Sequence, residues 1–203
     1  ISADAFQVYR DFNIGTGKLS KSEMNNIPHH LIDSRHPENP YSLQLFLDDV
    51  KQCSNDIQCR NKSIIICGGS AMYLKALLYG YEPLKRLPKD QLPNGTADQL
   101  WKKLYDIDPD LAKNTPKQNK ARVQRYLEIF YIYNVAPSSL FKQAPMDQSK
   151  YKVLGIMIEI STLKEKINNR VNQMIKDGLI DEVDQLMKKY CLSSPPFKAI
   201  GYK

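Results

Sequence analysis

The sequence predicts an α/β fold, a parallel sheet flanked by helices and interrupted by a mainly helical insertion. Three observations carry this. Ile64-Ile65-Ile66-Cys67 is a short, continuously apolar run, as in a strand buried on both faces, closed by Gly68-Gly69-Ser70 before a helix over 71–79. Residues 151–160 form a longer, β-branched run that reads as a second strand. Between them the composition shifts at Tyr81, becoming rich in Pro, Lys, Asp and Gln to about Asn119. The expected division is therefore a core of 1–80 and 150–203 with an insertion of 81–149.

In order along the chain, Ile1-Ser2-Ala3 reads as the tail of a buried strand, with structure belonging before it. Residues 18–39 are polar and punctuated by Pro28 and Pro37, and predict surface loop with one helical turn at most. Ser42 is an N-cap candidate ahead of Leu43, Phe46, Leu47 and Val50, a helix ending near Cys53, with 55–62 a polar connection. Trp101, Leu104 and Ile107 mark one amphipathic helix in the insertion. Residues 119–133 predict another, with Val123, Leu127 and Phe130 on its core face and Arg122 and Arg125 together on a different side. Residues 162–176 predict a helix burying Leu163, Ile167, Val171 and Met174, with Lys166 and Arg170 beside that stripe and Gly178 ending it. A last helix over 180–190 carries Ile180, Val183, Leu186 and Met187.

The 203 residues suffice for a substantial core, and 42% hydrophobic with 25% charged residues is ordinary for a globular protein. No apolar run approaches the ~20 residues of a membrane span. The net charge of +7 suits a polyanionic partner and equally a merely basic protein. Cys53, Cys59, Cys67 and Cys191 are irregularly spaced, which indicates neither a zinc site nor a disulfide framework, and reduced cytosolic thiols are expected. His29, His30 and His36 share one loop without a ligand partner at metal spacing.

Several residues could do chemistry. Ser70 and its glycines sit where open α/β sheets bind ligands, though Ser70 could simply cap its helix. Asp4 could accept a proton, hold a metal or bond a base amine, or cap loop N–H groups. Gln7 offers a donor and an acceptor for a base edge. Gly15-Thr16-Gly17-Lys18 could hold phosphate through N–H groups and the ammonium, but does not match the phosphate-loop pattern. The pairs Arg122/Arg125 and Lys166/Arg170 are solvated surface or phosphate grips.

Taken in order, Ile-Ser-Ala-Asp-x-x-Gln-Val-Tyr-Arg, Ile-Gly-Thr-x-Lys, Pro-His-His-Leu-Ile-Asp, Gly-Gly-Ser-x-x-Tyr-Leu-Lys-Ala-Leu, Asn-x-x-Arg-Val-x-Arg-x-Leu-Glu, Arg-Val-x-x-Met and Ala-Ile-Gly-Tyr-Lys resemble the tRNA dimethylallyltransferase (tRNA isopentenyltransferase) family over essentially the whole chain. The resemblance implies a core like that of P-loop kinases, acting as a cytoplasmic monomer with Mg²⁺. It also implies prenyl transfer from dimethylallyl diphosphate to N6 of adenosine 37, beside the tRNA anticodon, with the base flipped into a channel. It makes Asp4 the general base. The segment Asp4, Ala5, Phe6 and Gln7 becomes the adenine contact, and Ser70, where most members have Thr, a polar contact near the amine and diphosphate. Arg170 matches a cation near the leaving diphosphate. Ala121, Arg122, Val123, Gln124 and Arg125, and Lys198, Ala199, Ile200, Gly201, Tyr202 and Lys203, match stretches that contact the tRNA anticodon stem-loop.

The departures are Ala5 for a Ser, Lys166 for a common Arg, and a connection from Leu84 to Trp101 shorter than the family's insertion. The family's phosphate loop is expected upstream of Ile1 and its basic C-terminal helix after Lys203, so the chain as it stands is expected to be inactive. The alternatives are an adenylate isopentenyltransferase acting on free nucleotides, a non-catalytic RNA-binding remnant, and a small-molecule P-loop kinase. The insertion and the Ala-Ile-Gly-Tyr-Lys turn favour tRNA.

Overall fold

The computed structural model describes residues 1–80, 83–141, 152–156 and 159–202. Its helices, in chain order, are α1 (Leu43–Cys59), α2 (Ala71–Tyr79), α3 (Ala97–Ile107), α4 (Pro109–Lys113), α5 (Lys120–Tyr133), α6 (Pro137–Leu140), α7 (Ile160–Lys176) and α8 (Leu179–Lys189), with 3₁₀ turns at Lys89–Gln91, Pro195–Lys198 and Ile200–Tyr202. The chain divides into two compact units, one of Ile1–Gly80 with Met146–Lys203 and one of Tyr81–Pro145.

In the first unit, Ile1–Ala3 and the Ile64–Cys67 run pair in parallel register. The Ile1 N–H group donates to the Ile65 carbonyl (2.7 Å), Cys67 N–H to Ile1 (3.0 Å) and Ala3 N–H to Cys67 (2.8 Å). The pairing stops there. Among the described residues there is no sheet, only the isolated parallel bridges Ser2–Cys67 and Tyr9–Arg35. Of the expected parallel sheet the described residues show these two bridges, and no described segment pairs with the other edge of 64–67. One face of the run is exposed: Ile64 and Ile66 are half-buried while Ile65 is 75% exposed. Of the second expected strand, 151, 157 and 158 lie outside the described residues, 152–156 are irregular and exposed, and Ile160 already begins α7.

The core beside that pairing is Ala3, Leu31, Phe46, Val50 and Tyr73. Ser42 caps α1 by accepting the Leu45 N–H (3.2 Å). The helix runs on past Cys53 to Cys59, because Ile57 continues the stripe of Phe46 and Val50 under a run of otherwise polar residues. Phe46 stacks on Tyr73 of α2 with centroids 4.0 Å apart, and burial pushes the Tyr73 phenol up to about 12. Helix α7 forms where expected but buries none of its residues, so the expected burial of Leu163, Ile167, Val171 and Met174 is corrected: no described element covers that face. Gly178, at φ 97°, turns the chain into α8, of which only Leu186 is buried.

The second unit packs Leu100 and Leu104 of α3, Ala112 of α4, and Val123 and Leu127 of α5. Thr96 and Gln99 close a capping box at the start of α3, satisfying two helix-end N–H groups reciprocally. The Trp101 indole donates to the carbonyls of Ala112 and Thr115 (both 3.0 Å), which ties α3 to α4 and to the segment after it.

Candidate functional site

The site is built around the turn that leaves the Ile1–Ala3 segment. Ala3 is fully buried, and its carbonyl accepts the Ser70 N–H (3.2 Å) while the Ala5 N–H donates to Ser70 Oγ (3.0 Å). A Cβ at Gly68 would collide with the Ala3 carbonyl, so this approach requires glycine. Ser70 therefore does not cap α2 with its side chain; its oxygen holds the Asp4–Ala5 turn. Asp4 Oδ1 accepts the N–H groups of Phe6 (2.8 Å) and Gln7 (3.1 Å), which fixes the carboxylate and leaves Oδ2 without a partner among the described residues. The capping reading of Asp4 is thus met by Oδ1 alone.

Gln7 looks inward. Its amide donates to the carbonyls of Thr16 (3.3 Å) and Gly17 (3.1 Å), and its oxygen accepts from Ser2 Oγ (3.1 Å). Gln7 therefore braces the 13–18 loop. Gly17 has φ 62°, and a Cβ there would overlap the Arg170 guanidinium, so Arg170 lies directly against this loop. The structure thus gathers Asp4, Ala5, Gln7, Ser70 and Arg170 around one turn and one loop.

The 13–18 loop does not offer the phosphate cradle that Gly15-Thr16-Gly17-Lys18 suggests. The N–H groups of Asn13 (3.2 Å), Ile14 (3.0 Å) and Gly15 (3.4 Å) all donate to the carboxylate of Glu182. The Lys18 ammonium, its side chain 3% exposed, pairs with Asp33 and donates to the Tyr9 carbonyl. Burial draws its affinity for a proton below that of an ordinary lysine, the Asp33 bond opposing. The cradle is already filled by the protein's own carboxylate and its lysine already paired.

The closing turn of the chain packs on the same loop. Tyr202 Oη donates to Glu182 (2.5 Å) and accepts the Gly15 N–H (3.1 Å), and a Cβ at Gly201 would collide with the Gly15 carbonyl. The phenol is raised by burial and by the Glu182 bond. Ala199 is buried, Ile200 is 94% exposed and Lys198 is exposed. Lys203 lies outside the described residues.

In the second unit, Val123 is a core residue, and Gln124 donates to the Pro93 carbonyl (3.0 Å). Arg125 turns back to the carbonyls of Leu84 and Lys85 (both 2.8 Å) and pairs with buried Glu128 (2.7 Å). The expectation that Arg122 and Arg125 point together is corrected, because Arg125 is drawn into packing by these acceptors. Ala121 and Arg122 remain exposed, and Arg122 Nε donates to Tyr126 Oη (3.1 Å).

Sequence reasoning missed Glu182. It reads as a helix-start acid, which the dipole alone would favour, and no local pattern announces partners 167 to 169 positions away. Among the described residues no three His, Cys, Asp or Glu side chains converge as metal ligands. No described helix is long and apolar enough to cross a membrane.

Comparison with known proteins follows this geometry. The profile of the IPP transferase family matches residues 7–203. A tRNA dimethylallyltransferase of Bacillus mycoides is 34% identical over the whole chain, which spans 67% of that relative. A tRNA dimethylallyltransferase 1 of Syntrophotalea carbinolica is 35% identical over the whole chain and 68% of its own length. Two solved structures are similar over 99% of the chain. One is a tRNA delta(2)-isopentenylpyrophosphate transferase of Staphylococcus epidermidis (30% identity, TM-score 0.63, 68% of that chain). The other is a eukaryotic dimethylallyltransferase acting on tRNA (27% identity, TM-score 0.81, 54% of that chain). The chain thus spans about two thirds of the curated relatives it matches.

Proposed function

The chain belongs to the IPP transferase family, and on that footing we propose that it carries the base-binding side of a tRNA prenyltransferase. The reaction is transfer of a dimethylallyl group from dimethylallyl diphosphate to N6 of adenosine 37 in the anticodon stem-loop. The observation that carries this reading is Asp4, with one oxygen fixed by two N–H groups, the other without a partner among the described residues, and its turn held by Ser70 Oγ through the Ala5 N–H.

The amine of adenine is conjugated to the purine and is a weak nucleophile. As N6 attacks C1 of the prenyl group, the C1–O bond breaks and diphosphate departs with the bonding pair. The amine proton passes to Asp4 Oδ2, whose partner oxygen stays in its turn and keeps the group aimed. Ser70 keeps its hydroxyl hydrogen to donate, because its oxygen is the acceptor in the bond to Ala5. Arg170, set against Gly17, supplies a fixed positive charge where charge grows on the leaving group. Gln7 shapes the pocket through the 16–17 carbonyls rather than by reading the base edge.

In the second unit, Arg122 has its Nε on Tyr126 and its terminal nitrogens available for phosphate, which makes it the tRNA contact of 121–125. Lys198 and Ile200 are the accessible side chains of the closing turn. Mg²⁺ would neutralise the diphosphate. The protein works as a cytoplasmic monomer.

The test is transfer of labelled dimethylallyl diphosphate, with Mg²⁺, by the full-length protein to unmodified tRNA or to AMP. Label should enter tRNA and not AMP, and Asp4→Asn should lower the rate by about 10²–10⁴. Label in AMP alone overturns the tRNA assignment. Undiminished transfer by Asp4→Asn removes Asp4 as the base.

A further inference from the structure

Glu182 sits inside the curl of residues 13–17, where three successive N–H groups converge on its carboxylate. Such a nest is an anion site by construction. A phosphate usually fills one, but here a side chain of the same molecule does. Tyr202 completes the arrangement, its hydroxyl bonded to both Glu182 and Gly15, and its ring edge-on to buried Phe12 (5.1 Å). The close approach of Gly201 to the Gly15 carbonyl leaves the two segments no room to slide.

We propose that Glu182 and Tyr202 are positioning residues of the transfer reaction, holding residues 13–17 in the one shape that seats Arg170 and Gln7. The proposal rests on the reading of Arg170 as the cation facing the diphosphate. The chain of contact is short. Glu182 fixes the N–H groups of 13–15, Gln7 fixes the carbonyls of 16 and 17, and the left-handed Gly17, without a Cβ, leaves the space that the guanidinium occupies. A filled nest also cannot take the diphosphate itself, so the loop acts through Arg170. Tyr202, expected from the resemblance to touch tRNA, is instead turned inward as a lock on this loop.

The experiment uses full-length protein and two readouts. In steady-state transfer to tRNA, Glu182→Ala should lower kcat about 100-fold, since a displacement near 1 Å of a positioned group costs that much, while the KM for tRNA stays within about threefold. Tyr202→Phe keeps the ring and should lose about tenfold. Combined with Arg170→Ala, Glu182→Ala should add little further loss, because both changes remove one function. Fully multiplicative losses overturn the proposal. Amide hydrogen exchange is the second readout and uses Glu182→Gln, which keeps size and removes charge. Exchange at Asn13, Ile14 and Gly15 should quicken at least about tenfold while the α1 core is unchanged. Unchanged protection at those three amides overturns the proposal even if transfer falls. A wild-type protein that transfers nothing to tRNA defeats the functional reading instead, and leaves exchange to decide the lock.

Discussion

Helices α5 and α7 carry similar apolar stripes, but only one stripe is covered. On α5, Val123 and Leu127 are fully buried, whereas on α7 Leu163, Ile167, Val171 and Ile175 stay between 37% and 51% exposed. Their polar attachments differ in the same sense. Glu128 of α5 is 1% exposed and holds Arg125 and the Leu87 N–H (2.6 Å) within its own unit. The α7–α8 stretch is tied instead to residues 11–17, through Arg170, Glu182 and Lys189, by contacts at or near the surface. Burial fixes α5, and its arginine is part of the structure. Bonds to a loop fix α7–α8, and its arginine lies against that loop at Gly17.

The comparison can be broken most sharply at Glu128. Glu128→Ala leaves Arg125 charged among packed groups and strips the Leu87 N–H of its acceptor, with an expected cost of about 3–5 kcal/mol. The carbonyls of Leu84 and Lys85 still solvate the guanidinium, which points to the lower end. Urea unfolding of this chain measures it, and a cost below about 1 kcal/mol would place Arg125 with the solvated arginines. Next in size is a matched pair of truncations. Leu127→Ala should cost about 2–5 kcal/mol, and Val171→Ala no more than about 0.5 kcal/mol. Equal losses would show that α7 is packed as α5 is.

These two helices also show how far a sequence can be read. Period and caps predict both to within two residues, because they depend on neighbours three and four positions away. Whether a stripe is covered depends on distant chain, and the same period says nothing of it. The run at 64–67 shows the same limit: its composition marks a strand, but which segments pair with it depends on distant chain. In the site, Asp4 and Ser70 are legible because turn chemistry and the glycine approach are local. Arg170 is placed through family resemblance and meets Gly17 through the fold. Glu182 is invisible because its partners lie at the other end of the chain, and Arg125 misleads because helical phase alone cannot show a backbone carbonyl waiting for it.

The gentlest test concerns the exposed counterpart of the buried pair. Asp11 accepts from Lys189 (2.7 Å) and from the Tyr190 hydroxyl, and these bonds, Lys189 first, hold its carboxyl below the ordinary value of 3.8. A carboxyl lowered on folding stabilises the fold fully above its unfolded value and loses that contribution as pH falls through its folded one. Wild type should therefore be more stable than Asp11→Asn at about pH 7, and the gap should close as pH falls below about 4. Asp11 and Lys189 are exposed, so solvent screens the pair and the difference in Tm should not exceed ~2 °C. Thermal unfolding of both proteins across that range measures it. A gap undiminished between about pH 7 and about pH 3 would mean that the carboxyl's charge contributes nothing there and that Asp11 acts by shape alone. The α8 attachment would then resemble that of α5, held by packing rather than by polar bonds to the loop.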